Sequence, residues 1–164
     1  MRNCGEAEVS DIPAQAAETV RVLQEKAGDA VKAVQFRNRS RIYLDVESAA
    51  IPEVTRIVFR ELGHRLQTVT GTDGGDHIEL LYHWANDGEG YVLSIRTRIE
   101  RDNPEIASVA GICKGAEWIE REIWELLGVN FVGHPDLRHL LLRDDWPEGA
   151  CPLRRDYRKD GGDG

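Results

Sequence analysis

The sequence predicts an α/β (α+β) protein, a mixed sheet with flanking helices that continues into an extended C-terminal arm. Three observations carry that prediction. Helical and strand-like hydrophobic periods alternate along residues 11–128. Residues 129–164 lose any sustained period yet keep Phe131, Leu137, Leu140, Trp146, Leu153 and Tyr157, too much apolar surface for a solvated tail. A length of 164 residues with 41% hydrophobic content suffices for one core without disulfide or metal staples. The expected division is an α/β domain over 1–128 and an arm over 129–164 that lies along a surface, its own or a partner's.

Residues 11–27 place Ile12, Ala16, Val20 and Leu23 at helical spacing, with Asp11 as N-cap, Pro13 in the first turn and Gly28 as the stop. AVKAVQF and RIYLDV alternate apolar with polar residues and read as two strands joined by RNRSR. AAIPEVTRIVFRELG returns to helical spacing through Ile51, Val54, Val58 and Leu62 and ends at Gly63. RLQTVTG, HIELLYHWA and GYVLSIRTRIE read as three strands, the last two separated by the turn-rich run Asn86–Gly90. A short helical segment, EIASVAGI, is expected after Pro104. The next helix, GAEWIEREIWELLG, has Ala116, Ile119, Ile123 and Leu126 on its apolar face and a solvated Glu117, Arg121, Glu125 ladder at i,i+4 on another. Beyond it only DLRHLLL suggests a helical turn.

Composition narrows the function. With 21 Lys plus Arg against 29 Asp plus Glu, the net charge of −8 argues against a general nucleic-acid or anionic-membrane binder. The charge is uneven, since residues 134–160 carry six residues of each sign. No stretch approaches the roughly 20 apolar residues of a bilayer span, and the N-terminus lacks the core of a signal peptide. Any membrane connection is therefore expected through a partner. Cys4, Cys113 and Cys151 lie far apart and match a reduced compartment better than a disulfide framework.

No HExxH, CxxC, GxGxxG or GxxxxGK[ST] motif is present. His134, His139 and Cys151 form the one combination that could serve a small free-standing enzyme as a metal or thiol site. Against that reading, Trp118, Trp124 and Trp146 concentrate with Arg121, Arg138, Arg143, Arg154, Arg155 and Tyr157 in the last third. Trp, Tyr and Arg are the residues of interface hot spots, although tryptophans can equally cap a domain's own core.

EREIWELLGVNFVGHPDLRHLLLRDDW (Glu120–Trp146) followed by PLRRDY (Pro152–Tyr157) resembles the signature of the C subunit, or 30-kilodalton subunit, of NADH:quinone oxidoreductase, respiratory complex I. Departures from that signature point toward the homologous subunits of energy-converting, membrane-bound NiFe hydrogenases. Glu125 and Leu127 stand where complex I favours Asp and an aromatic, and the last motif lacks its His and reads Cys151-Pro152-Leu153-Arg154-Arg155-Asp156-Tyr157.

The resemblance implies a non-catalytic subunit on the cytoplasmic side of the membrane, attached only through partners. Those partners would be the catalytic large subunit, related to the large subunit of NiFe hydrogenases, and a small iron-sulfur subunit. It implies that this chain binds no cofactor itself, with iron-sulfur clusters and NiFe or quinone held by its partners. By matching position, Glu120, Arg121, Glu122, Gly133, His134, Pro135, Arg154, Arg155, Asp156 and Tyr157 would be signature residues with structural and interfacial roles, with Leu137, Leu140 and Trp146 as apolar anchors. Gly133 and Pro135 would turn the arm, Pro147 and Pro152 would keep it extended, and Arg154 and Arg155 would pair with carboxylates of the partner.

Overall fold

The computed structural model describes residues 12–158, so the expected N-cap Asp11 and the GGDG end lie outside the described residues. Helix α1 (Ala14–Ala27) is Ala-rich, lays Ala16, Val20 and Leu23 on the core and ends at Gly28, whose φ of +53° suits glycine. A hairpin follows, β1 (Val31–Asn38) and β2 (Arg41–Val46). Helix α2 (Ile51–Arg56), with Pro52 in its first turn, widens into a π-helical turn over Ile57–Glu61 before Gly63. Three antiparallel strands complete the sheet: β3 (Arg65–Asp73), β4 (His77–Asn86) and β5 (Tyr91–Glu100).

The strand order is β1-β2-β5-β4-β3, with β2 and β5 parallel and the other neighbours antiparallel, which makes the five-stranded sheet mixed. Alternation along each strand sends one set of side chains to one face. Ile42, Leu44, Leu80, Tyr82, Trp84, Leu93 and Ile95 form the core with residues from all three helices. Tyr43, Asp45, Glu79, His83, Ser94 and Arg96 occupy the other face, where Arg96 donates to both carboxylate oxygens of Asp45 at 2.5 and 2.9 Å. At one edge, helix α3 (Glu117–Leu127) crosses β3 at Gly71, where a Cβ would stand 2.6 Å from Leu127 Cδ1 and 3.3 Å from Ile123 Cγ2. Glycine is what lets the helix lie this close.

Two short helices expected from sequence are absent. EIASVAGI begins instead as β6 (Glu105–Ala107), paired in parallel with β7 (Asn130–Val132), and Ile106 and Phe131 bury themselves side by side. So short a helical pattern cannot outweigh a ladder that also buries two large side chains. DLRHLLL is irregular as well, because the N–H groups a helix would consume are taken by a side chain of α3. Val129 and Phe131 belong to the core, so the packed body continues through Val132. After it, Pro147 and Pro152 do not extend the chain. Ala150 N–H donates to Pro147 O at 3.1 Å and Arg154 N–H to Cys151 O at 3.0 Å, closing two turns, with Pro152 at the second position that its fixed φ favours.

Candidate partner interface along helix α3 and the arm

The arm runs alongside α3 in the same direction, joined to it about once per helical turn. At the start, Gly133 takes φ +80° and turns the chain, while Pro135 is exposed. The His134 ring is fully buried. Its Nδ1 accepts the Asp136 N–H at 3.0 Å, so the proton sits on Nε2, which donates to Glu117 O at 2.9 Å. One turn on, Arg121 donates to the carbonyls of Arg138 (2.9 Å) and His139 (2.5 Å). A further turn on, the Glu125 carboxylate accepts the N–H groups of Leu140 (2.9 Å), Leu141 (2.7 Å) and Leu142 (3.3 Å), with His139 Nδ1 at 3.3 Å.

The expected Glu117–Arg121–Glu125 ladder is therefore not formed. Arg121 and Glu125 are 6% and 4% exposed, and each spends its charge on arm backbone, where an exposed i,i+4 pair would return only a few tenths of a kcal/mol. Burial pushes the Glu125 carboxyl up, but the three backbone donors and His139 outweigh it and hold its pKa below the ordinary value.

Glu120 faces the opposite way, into the body. It is wholly buried and accepts Ser108 Oγ–H at 2.5 Å and Val109 N–H at 2.8 Å, which fixes the loop after β6 against α3. Burial raises its pKa, against the pull of those two donors and of His134. Tyr82 Oη lies buried without a partner among the described residues, its pKa raised by burial and by the Glu120 charge. Glu122, two residues from Glu120, is exposed.

The arm then doubles back at the C-terminus of α3. Leu153 N–H donates to Leu126 O at 3.0 Å. Arg154 donates to Leu127 O at 2.5 Å and Arg101 O at 2.8 Å, so it caps the helix end and is not free for a partner carboxylate, contrary to the expectation. Arg155 N–H donates to Asp73 at 3.0 Å while its side chain is exposed, and Asp156 pairs with Arg101 at 3.0 Å. Asp73 is buried and held well below the usual carboxylate range, chiefly by Arg101 with help from the Arg155 and Gly75 N–H groups. Trp146 stacks on Tyr157 with centroids 6.4 Å apart and donates Nε1–H to Ala150 O, and Leu137 is half-buried.

Sequence reasoning passed over Asp73, Arg101 and Ser108 and gave Glu125 no role in holding the arm. Their one signal is that an apolar arm without its own secondary structure needs donors and acceptors from the body. Cys113 is a buried core residue with its thiol pKa pushed up by burial. Cys151 sits against Gly128. His139 and Cys151 border one cleft of about 320 Å³, and His134 is not part of its lining. Among the described residues no group of three His, Cys, Asp or Glu side chains could hold a metal ion, and no helix is long and apolar enough to cross a membrane. Among the exposed residues of α3, β7 and the arm are four large apolar ones, Trp118 (67% exposed), Leu141 (63%), Leu153 (58%) and Val132 (48%), with charged neighbours such as Glu122, Arg143 and Arg155.

Residues 44–162 match the family model described as "Respiratory-chain NADH dehydrogenase, 30 Kd subunit", most of the chain. The chain belongs to this family. Among similar members, the C subunit of the F(420)H(2) dehydrogenase of Methanosarcina mazei is 40% identical over 122 residues, 73% of this chain and 75% of that protein. The C/D subunit of the NADH-quinone oxidoreductase of Phocaeicola vulgatus is 46% identical over 95 residues, 56% of this chain but only 18% of that much longer protein. Among solved structures, a chain of the membrane-bound sulfane sulfur reductase, an archaeal respiratory membrane complex, superposes with a TM-score of 0.78 at 28% identity, covering 88% of this chain and 86% of that one. The matched 30 Kd subunit region takes in β3–β5, α3 and the arm, and leaves out α1, β1 and the hairpin turn.

Proposed function

We propose that this chain is a non-catalytic, peripheral-arm subunit of a complex-I-related membrane-bound oxidoreductase, where it docks onto and stabilises the catalytic large, NiFe-hydrogenase-like subunit during electron transfer coupled to ion translocation. One observation carries the docking role. The charged signature residues Glu120, Arg121 and Arg154 are satisfied inside the chain, while Trp118, Leu141, Leu153 and Val132 stay exposed. A buried charge clamp that rigidifies an arm lowers the ordering cost of binding, and exposed large apolar groups in the same region supply its driving force. Glu120, Arg121, His134 and Arg154 thus act as positioning residues for the interface, and the contact itself falls to the apolar groups with Glu122, Pro135 and Arg155 beside them.

The chain would sit on the cytoplasmic side of the membrane through its partners, with the small iron-sulfur subunit as a second neighbour and the clusters and NiFe or quinone chemistry held outside this chain. The relatives span NADH, F(420)H(2) and sulfane sulfur enzymes by name, and the hydrogenase and quinone branches both suit the arm. The competing reading, a free-standing enzyme using His134, His139 and Cys151, loses ground because both His134 ring nitrogens are spent on backbone. The test is co-purification of the large subunit with the variant Trp118→Asp/Leu141→Asp, checked for an unchanged circular dichroism spectrum. Loss of the large subunit is expected, and its full retention overturns the interface.

A further inference from the structure

The β1–β2 hairpin carries Arg37, Arg39 and Arg41 within five residues, all exposed, and none of them makes an ion pair or side-chain hydrogen bond among the described residues. This contrasts with other cations of the sheet. Lys32 pairs with Glu47, Arg65 with Asp87, Arg96 with Asp45 and Arg98 with Glu79. The start of β5 reaches the tip through the bond from Val92 N–H to Ser40 O at 2.8 Å, and Asp87 in the preceding β4–β5 turn is already held by Arg65. A net positive tip therefore stands on a chain of net charge −8.

Protection of an edge strand accounts for part of this, since cations and register shifts such as those of β1 discourage strand pairing. It does not account for Arg39, in the turn, or Arg41, on the inner strand β2. We propose that the β1–β2 tip is a second docking surface, which takes an acidic patch on the surface of a neighbouring protein subunit. The proposal rests on the reading of the chain as part of a multisubunit complex.

All three cations are Arg, whose planar fork pairs bidentately with carboxylates and phosphates alike, so the choice of partner rests on the surroundings of the tip. Two observations favour a protein over a lipid or nucleic acid. Anionic membranes are met by clusters of about four to eight cations, commonly with apolar groups to insert, and the large exposed apolar groups among the described residues, Trp118, Val132, Leu141 and Leu153, are all elsewhere. The acidic balance of the remaining chain repels nucleic acid. The tip also stands beside β1, while α3 packs on β3 at the far edge, four strand spacings or about 19 Å away, so both surfaces can be occupied at once. Residues 37–41 lie outside the segment matched to the family model, so the signature residues do not account for them.

The experiment places the photoreactive residue p-benzoylphenylalanine at Ser40, which keeps all three arginines, and at Leu141 as a control, each in the full chain within the complex purified from its own cells. The expected result is one protein adduct from position 40, mapping to a segment rich in Asp and Glu. Arg37→Glu/Arg39→Glu/Arg41→Glu should cut its yield by about tenfold, and added salt should weaken it. If that triple variant melts at a lower temperature than the parent, the Arg→Gln triple variant gives the reading instead, with a smaller loss expected. A lipid adduct, an adduct with a second copy of this chain, or a yield indifferent to the charge change overturns the proposal. An adduct at 141 with none at 40 overturns it while the interface along α3 stands, and no adduct at either position overturns both.

Discussion

The sheet body and the arm are held by different physics. In the body, Leu80, Trp84 and Leu93 are fully buried, and the alternation of apolar residues along β4 and β5 accounts for the packing. In residues 133–158 no residue is buried as a whole, and order comes from body side chains that reach out to arm backbone: Arg121 and Glu125 from α3, Asp73 from β3. Burial makes the body cooperative. A few charge-assisted bonds make the arm removable without unfolding the rest, because each can be exchanged for water.

The largest effect that sharpens this contrast is in the body. Leu80→Ala or Leu93→Ala should cost about 2–5 kcal/mol by urea denaturation, and body and arm should unfold together. Glu125→Ala comes next. It removes the acceptor of three backbone N–H groups, and about 2 kcal/mol of arm stability should go while the sheet's midpoint barely moves. Limited proteolysis should then cut within 138–150, and equal resistance in variant and parent would break the distinction between the two regions.

Acid should act in the same direction. Glu125 and Asp73 have pKa values lowered in the fold, so their contribution is present above the ordinary carboxylate range of about 4 and is lost as pH falls through their lowered values. Glu120 is raised, so its contribution is fully present at low pH and is lost as pH rises through its raised value. Proton titration followed by NMR should therefore loosen the arm below about pH 4 while the Ser108–Glu120 contact persists. The smallest effect is expected at Glu122, exposed between these groups. Glu122→Gln should change stability by less than about 0.5 kcal/mol, and a larger loss would mean that the face of α3 taken as free is engaged.

The sequence and the structure agree best where burial decides. The strands β1–β5 and the helices α1 and α3 follow from periodicity, and α1 ends at the Gly28 that the pattern picks out. They part where one side chain replaces a backbone partner. Nothing local in DLRHLLL says that Glu125, fifteen to seventeen positions away, takes its N–H groups, and nothing in EIASVAGI says that Glu120 and β7 claim its backbone. The ERE triplet shows both sides of this. Its rotation separates Glu120 from Glu122 as expected, yet the solvated ladder through Arg121 fails because the arm covers that stripe of the helix. Arg154 was legible as a position that matters, but its guanidinium caps the chain's own helix.

The central claim is that the arm is set in place by this chain's own charged residues before any partner arrives. Amide hydrogen exchange at Leu140, Leu141 and Leu142 in the free chain tests it most directly. Slowed exchange in the parent, lost in Glu125→Ala while β4 and β5 stay protected, is the predicted result. Exchange at the rate of an unstructured chain in the parent would contradict it.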